Sequence, residues 1–172
     1  IGQVEEILFH LDAAGGSHMP IWLMVETPRA VLDIDRIASI SDRIACLVMG
    51  TSDLVNELRG RHVETRQNIS YSLQRTILVA RSNRIGILDG VHLDFKDQDS
   101  FRIICESARD MGFDGKTLIH PLQVDAANEV FGVSPQDFEQ AQQLLSVWKK
   151  AQALGKGVAV VDGRLVENLH IE

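Results

Sequence analysis

The sequence has no apolar run near the ~20 residues that span a bilayer, no basic stripe, and no cysteine–histidine spacing of the zinc type. Its 17 Lys and Arg stand against 24 Asp and Glu, a net charge of −7. Binding along a nucleic-acid backbone needs clustered cations, so nucleic acid is excluded as a partner, and a membrane with it. An anionic ligand then requires a metal or a local Arg to supply positive charge. The two cysteines are Cys46, in an apolar run, and Cys105, on the apolar face of a predicted helix. They read as buried, reduced thiols of a cytoplasmic protein. Internal repeats and low-complexity segments are absent. No signal peptide precedes Ile1, and the chain opens almost directly into a helical pattern, as a piece of a longer polypeptide would.

What is present is an ordinary globular composition, 45% hydrophobic and 24% charged over 172 residues, enough for a sizeable core. Val4, Ile7, Leu8 and Leu11 fall on one helix face, which Gly15-Gly16 ends. Residues 21–25 form an apolar run without alternation, as in a parallel strand buried on both faces. Thr27-Pro28 is a helix start, and Val31, Ile34, Ile37 and Ala38 mark the helix. Residues 44–49 make a second apolar strand, ending at Gly50. A charged loop, residues 56–65, precedes a helix through Ile69, Leu73, Thr76, Ile77 and Ala80. A weaker strand is expected at 87–93, a helix from Phe101 to Met111, a short strand at 117–119, and a short helix from Val124 to Phe131. Ser134-Pro135 opens a last helix with Phe138, Ala141, Leu145 and Trp148 as its stripe. Residues 158–172 read as an extended or hairpin arm. Alternating strand and helix predicts a parallel sheet. Four such units suit an open doubly wound sheet or the second half of an eight-stranded barrel, which typically needs ~250 residues.

In such folds chemistry sits at the carboxyl ends of the strands. Those ends carry Glu26-Thr27, Gly50-Thr51-Ser52-Asp53, Asp94 and His120-Pro121. Glu26 and Asp53 end consecutive strands, and neighbouring strands lie ~4.8 Å apart. Two carboxylates at that spacing can share one hard cation such as Mg²⁺, with water and substrate completing its shell. The competing reading makes them caps of the following helices. His120 is a candidate substrate contact or a hydrogen-bonded structural residue. Asp89 and Asp94 either shape the mouth of the site or cap helices. Arg59, Arg61 and Arg66 either meet phosphates or form a solvated patch. Trp22 and Trp148 read as packing residues.

The stretches Glu26-Thr27-Pro28-Arg29-Ala30 and Met49-Gly50-Thr51-Ser52-Asp53-Leu54 resemble the citrate lyase β-subunit-like family, which includes the malyl-CoA lyases, within the HpcH/HpaI aldolase superfamily. So do Asp89-Gly90-Val91-His92-Leu93-Asp94 with Lys96-Asp97, Gly112-Phe113-Asp114-Gly115-Lys116 with Ile119-His120-Pro121-Leu122-Gln123, and Asp162-Gly163-Arg164-Leu165-Val166-Glu167. The resemblance covers nearly the whole chain, with five motifs in order. It implies an α/β fold: the carboxyl-terminal part of a (β/α)8 TIM barrel over residues 1–133, with a C-terminal helix and arm, 134–172, packing on a neighbouring subunit of a homo-oligomer, a trimer or hexamer. It implies Mg²⁺ on Glu26 and Asp53, substrate contacts from Gly50, Thr51, Ser52 and His120, and Glu167 as catalytic acid/base where the family carries Asp. The family's substrate-binding Arg lies on an earlier strand. The implied activity is a lyase that makes or breaks a C–C bond in a hydroxyacyl-CoA thioester of malyl-CoA or citramalyl-CoA type, releasing acetyl-CoA and a 2-oxo acid. A hydroxy-ketoacid aldolase, a thioesterase on the same scaffold and a non-catalytic acyl-CoA-binding subunit are the alternatives.

Overall fold

The computed structural model describes residues 1–155, 157–161 and 164–166. The expected catalytic Glu167 lies outside the described residues. The chain divides into two compact units, Ile1–Phe131 and Gly132–Glu172.

The first unit is built on four strands, β1 (Ile21–Val25), β2 (Ile44–Met49), β3 (Gly86–Asp89) and β4 (Gly115–Lys116), in the order β1-β2-β3-β4. All three pairings are parallel. Seven helices surround or connect them: α1 (Gly2–Ala13), α2 (Pro28–Leu32), α3 (Ile34–Ala38), α4 (Thr51–Glu57), α5 (Ser70–Asn83), α6 (Gln98–Met111) and α7 (Val124–Phe131). The fold is therefore α/β with a parallel sheet, as the alternating pattern requires.

Successive side chains of a strand point to opposite faces. Leu23, Val25, Leu47, Met49 and Ile87 share one face and pack with Val31, Ile34, Ile37, Leu54, Leu73, Ile77 and Ala80 of the helices. The other face of β1 carries Trp22, 62% exposed, and Met24, 53% exposed. The sequence pattern leads to burial on both faces of β1, and the structure corrects this: its burial alternates. Trp22 is exposed on this chain, whereas Trp148 is buried.

Three element boundaries also depart from the pattern. The helix expected through Ala38 is broken into α2 and α3 at Asp33, whose φ and ψ of −94° and 9° lie in the bridge region. Arg75 from α5 secures the joint, donating from Nε to the Val31 carbonyl at 2.9 Å and from Nη2 to the Leu32 carbonyl at 3.1 Å and to Asp35 at 2.5 Å. The third strand ends at Asp89 rather than Leu93. The fourth lies at Gly115–Lys116 rather than 117–119, and Thr117 beyond it donates both its amide (3.0 Å) and its hydroxyl (3.1 Å) to the Asp89 carbonyl. Asp94 is thus a loop residue, accepting from the Lys96 and Asp97 amides.

The second unit contains α8 (Pro135–Ala153), capped by the Ser134 hydroxyl on the Asp137 amide at 3.0 Å. It also contains an antiparallel pair, β5 (Ala159–Val161) with β6 (Arg164–Val166). Its small core is Trp148, Ala151 and Ala159. Phe138 and Leu145, expected in the helix stripe, are exposed.

Asp114 fastens the start of β3 to α5. Its carboxylate accepts from the Ile87 amide at 2.8 Å and from Arg81 at 2.7 and 3.1 Å. Partial burial disfavours the charged form, but the Arg81 and Ile87 hydrogen bonds and the Arg81 charge together outweigh it and hold the carboxyl below its ordinary value of 3.8. A depressed folded-state value means the stabilisation is complete above the unfolded-state value and is lost as pH falls through the folded one. Asp114→Asn should therefore lower Tm at pH 7 by roughly 2–4 °C. The gap from wild type should close below pH 3.8. A gap of constant size from pH 7 to pH 2.5 in calorimetric melts would contradict this reading.

Candidate metal and substrate site

Glu26 and the segment Gly50–Asp53 follow paired strands, since Val25 stands beside Met49 in the parallel register. The Gly50 amide donates to the Val25 carbonyl at 3.0 Å, extending that pairing to the strand ends. Gly50 also has no room for a side chain. A Cβ there would lie 2.4 Å from Glu26 Cβ and 3.0 Å from Glu26 Oε2. The missing side chain is what lets Glu26 lie against the β2–α4 turn. Thr51 is buried, Ser52 partly buried and Asp53 exposed in the first turn of α4.

A divalent cation fits this donor set. The carboxylates of Glu26 and Asp53 and the hydroxyls of Thr51 and Ser52 are all hard oxygen donors. No group of three or more His, Cys, Asp or Glu suited to a metal exists among the described residues. Two carboxylates with open positions is the shell Mg²⁺ accepts, rather than the closed cage of a structural zinc.

The remaining sequence candidates lie elsewhere. His120 follows β4, two strands from β2, about 10 Å along the sheet at ordinary spacing. Its Nδ1 accepts from the Leu122 amide at 3.2 Å, and its ring stacks on Phe95 at 4.3 Å. Its bonds are those of a cap for the turn Pro121–Gln123.

The charged centre of this end of the sheet was not evident from the sequence. Asp89 is fully buried, and both its oxygens accept from Arg66 Nη1 at 2.7 Å. Lys116 Nζ donates to Asp89 at 2.7 Å and also to the Gly90 carbonyl. The Lys116 side chain is 1% exposed. Burial pushes its ammonium below the ordinary lysine range, while the charge and hydrogen bond of Asp89 pull it back. Arg66 is 13% exposed, so it is neither a solvated patch nor a free phosphate ligand. Its Nη2 is buried without a hydrogen-bond partner among the described residues. The available signal was a Lys ending a short strand directly after Gly115, a position where Lys is seldom buried unless paired.

A cavity of about 400 Å³ opens beside this cluster. Thr51 and Ser52, the segment His62–Arg66, the segment Val91–Asp94, and Ile103 and Ile104 of α6 line it. Its size and its apolar walls with a few convergent polar groups suit a small-molecule site. His92, on its wall, lies 3.2 Å from the Ser100 hydroxyl. Burial first, then the Lys116 charge, lowers its pKa and keeps the ring neutral at neutral pH.

A buried carboxylate that satisfies two cations is costly to remove, because each cation is then left unpaired in a dry site. Asp89→Ala should lower the unfolding free energy by about 3–5 kcal/mol in urea titrations. A loss below about 1 kcal/mol would place the trio in solvent.

Residues 2–121 match the model of the HpcH/HpaI aldolase/citrate lyase family. A (3S)-malyl-CoA thioesterase of Cereibacter sphaeroides is 46% identical over 153 residues, covering 89% of this chain and 53% of that protein. An L-malyl-CoA/beta-methylmalyl-CoA lyase of the same species is 28% identical, covering 95% of this chain and 58% of the relative. The chain thus spans about half the length of the curated relatives it matches. Among solved structures, the Mycobacterium tuberculosis protein CitE in complex with magnesium, acetoacetate and coenzyme A aligns with a TM-score of 0.72 at 24% identity, over 88% of this chain and 57% of that one, a likeness of fold. With the family model matching more than half of its residues, this chain belongs to the HpcH/HpaI aldolase/citrate lyase family.

Proposed function

We propose that the protein acts on a hydroxyacyl-CoA thioester of the malyl-CoA type, with Mg²⁺ held between Glu26 and Asp53. The observation that carries this is the close seating of Glu26 on Gly50, at the mouth where Thr51, Ser52 and Asp53 begin α4. We further propose that the four-stranded sheet is half of a (β/α)8 barrel. The Trp22 and Met24 face opposite the helices would then be the barrel interior, and the chain's coverage of 53% of its thioesterase relative agrees.

When bound, Mg²⁺ supplies Lewis-acid polarisation of a substrate oxygen. Glu26 and Asp53 fix where that polarisation acts. Gly50 seats Glu26 at the strand end, and Thr51 and Ser52 offer contacts to the substrate carboxylate. Glu167 is the proposed acid/base, from an arm docked on a neighbouring subunit. In C–C cleavage the substrate hydroxyl gives its proton to a base and its oxygen becomes the carbonyl of the 2-oxo acid, the C–C electron pair passes to the acetyl carbon, and Glu167 protonates that carbon. In thioester hydrolysis a base takes a proton from water as it adds to the carbonyl, and CoA leaves as the thiol. The 46% relationship to a thioesterase favours hydrolysis at least as much as C–C cleavage. His120 contacts the CoA end of the substrate.

The reading is tested with the full-length protein and (3S)-malyl-CoA, with and without Mg²⁺, following free thiol and 2-oxo acid separately. Free thiol without 2-oxo acid identifies the thioesterase. A 2-oxo acid without free thiol identifies the lyase. Neither product in the presence of Mg²⁺ would reject both, and an unchanged rate in EDTA would reject the metal. Calorimetric titration with Mg²⁺ should show binding to wild type and at least about tenfold weaker binding to Glu26→Ala. Gly50→Ala should weaken it likewise by displacing Glu26. Equal Mg²⁺ affinity in wild type and both variants would remove Glu26 from the site. Glu167→Gln should abolish turnover while Mg²⁺ affinity stays within about twofold.

A further inference from the structure

The contacts at Asp89 join three segments that border the candidate site. Arg66 ends the exposed loop 58–65, no residue of which is buried. Its backbone is left-handed, with φ of +52°, and its side chain is committed to Asp89. Behind the loop, Asn68 ties Arg61 through one hydrogen bond of 3.0 Å, and Ile69 is the next buried anchor. Lys116 bonds both Asp89 and the carbonyl of Gly90. Gly90 in turn abuts the start of α4, since a Cβ there would lie 2.3 Å from Thr51 Oγ1 and 2.7 Å from the Met49 carbonyl. One carboxylate therefore fixes the His62–Arg66 wall of the cavity and, through Lys116 and Gly90, the seat of Thr51.

We propose that Asp89 is a positioning residue, which holds the 59–66 loop closed against the cavity and keeps the α4 start in register with Glu26. It does so through Arg66 on one side and Lys116 and Gly90 on the other. Its consequence for substrate rests on the function proposed above, and its consequence for the loop does not. Arg66 acts on the loop wall and not on the reacting atoms, so its loss falls on substrate affinity rather than on the chemical step.

Arg66→Met separates this role from folding. It keeps an unbranched apolar stem, removes the guanidinium and leaves the Asp89–Lys116 pair intact. In the full-length protein, hydrogen exchange of the amides of residues 62–66 should quicken by about tenfold or more, while that of α5 stays unchanged. KM for the thioester should rise about tenfold with kcat within about threefold of wild type. Arg66→Lys, which can reach one Asp89 oxygen, should recover part of both effects. Wild-type exchange at 62–66 in a folded Arg66→Met protein would overturn the proposal. Faster exchange with unchanged KM would overturn its link to the site. Absence of thioester turnover by the wild type would reject the function proposed above, and the exchange rates would still decide whether Asp89 holds the loop.

Discussion

A carboxylate sealed from water stays charged only where cations and hydrogen-bond donors replace the water. Asp89 meets that condition at the end of β3, and much of the carboxyl-end geometry follows from how it is met. β4 contributes only two residues to the sheet, Gly115 beside Leu88 and Lys116 beside Asp89. So short a ladder gives little pairing by itself. The ion pair from Lys116, the Thr117 bonds to the Asp89 carbonyl and the Arg66 contact add the connections that a longer strand would supply. The same charges hold a loop that has no buried residue of its own between 58 and 65.

Two glycines transmit this order across the strand ends. Gly90 touches Thr51, and Gly50 touches Glu26, in both cases closer than any side chain would allow. The chain of contacts runs from the buried charge to the proposed metal ligands through backbone and packed atoms. That is why small residues stand where the sheet must bring β1, β2 and β3 together. Precision of this kind matters for a hard cation, whose ligands must sit within a few tenths of an ångström of their ideal places.

The sequence made the helix-facing side of the sheet legible, because Leu23, Val25, Leu47, Met49 and Ile87 sit in short apolar runs between clear helix starts. It also located Glu26 and Asp53, since strand ends can be read from where those runs stop. The second face of β1 reads as buried because Trp22 and Met24 are as apolar as their neighbours, and it is exposed on this chain, which spans about half the length of its relatives. The joint at Asp33 escaped notice because it depends on Arg75, a residue from another helix. The Asp89 cluster was hidden for the same reason: Arg66, Asp89 and Lys116 are 23 and 27 positions apart, and their pairing is tertiary. By itself Asp89 reads as a cap or part of the mouth of the site, and Arg66 as a solvated or phosphate-binding charge.

Family membership sets the class of chemistry to consider, and the place proposed for it in this chain is at Glu26, Gly50 and Asp53. The most direct measurement is anomalous diffraction from crystals of the full-length protein soaked in Mn²⁺, which takes the same oxygen ligands as Mg²⁺. The expected result is one strong peak bonded to carboxylate oxygens of both Glu26 and Asp53. A peak that touches neither carboxylate, or no peak at saturating Mn²⁺, would contradict the assignment of the metal site.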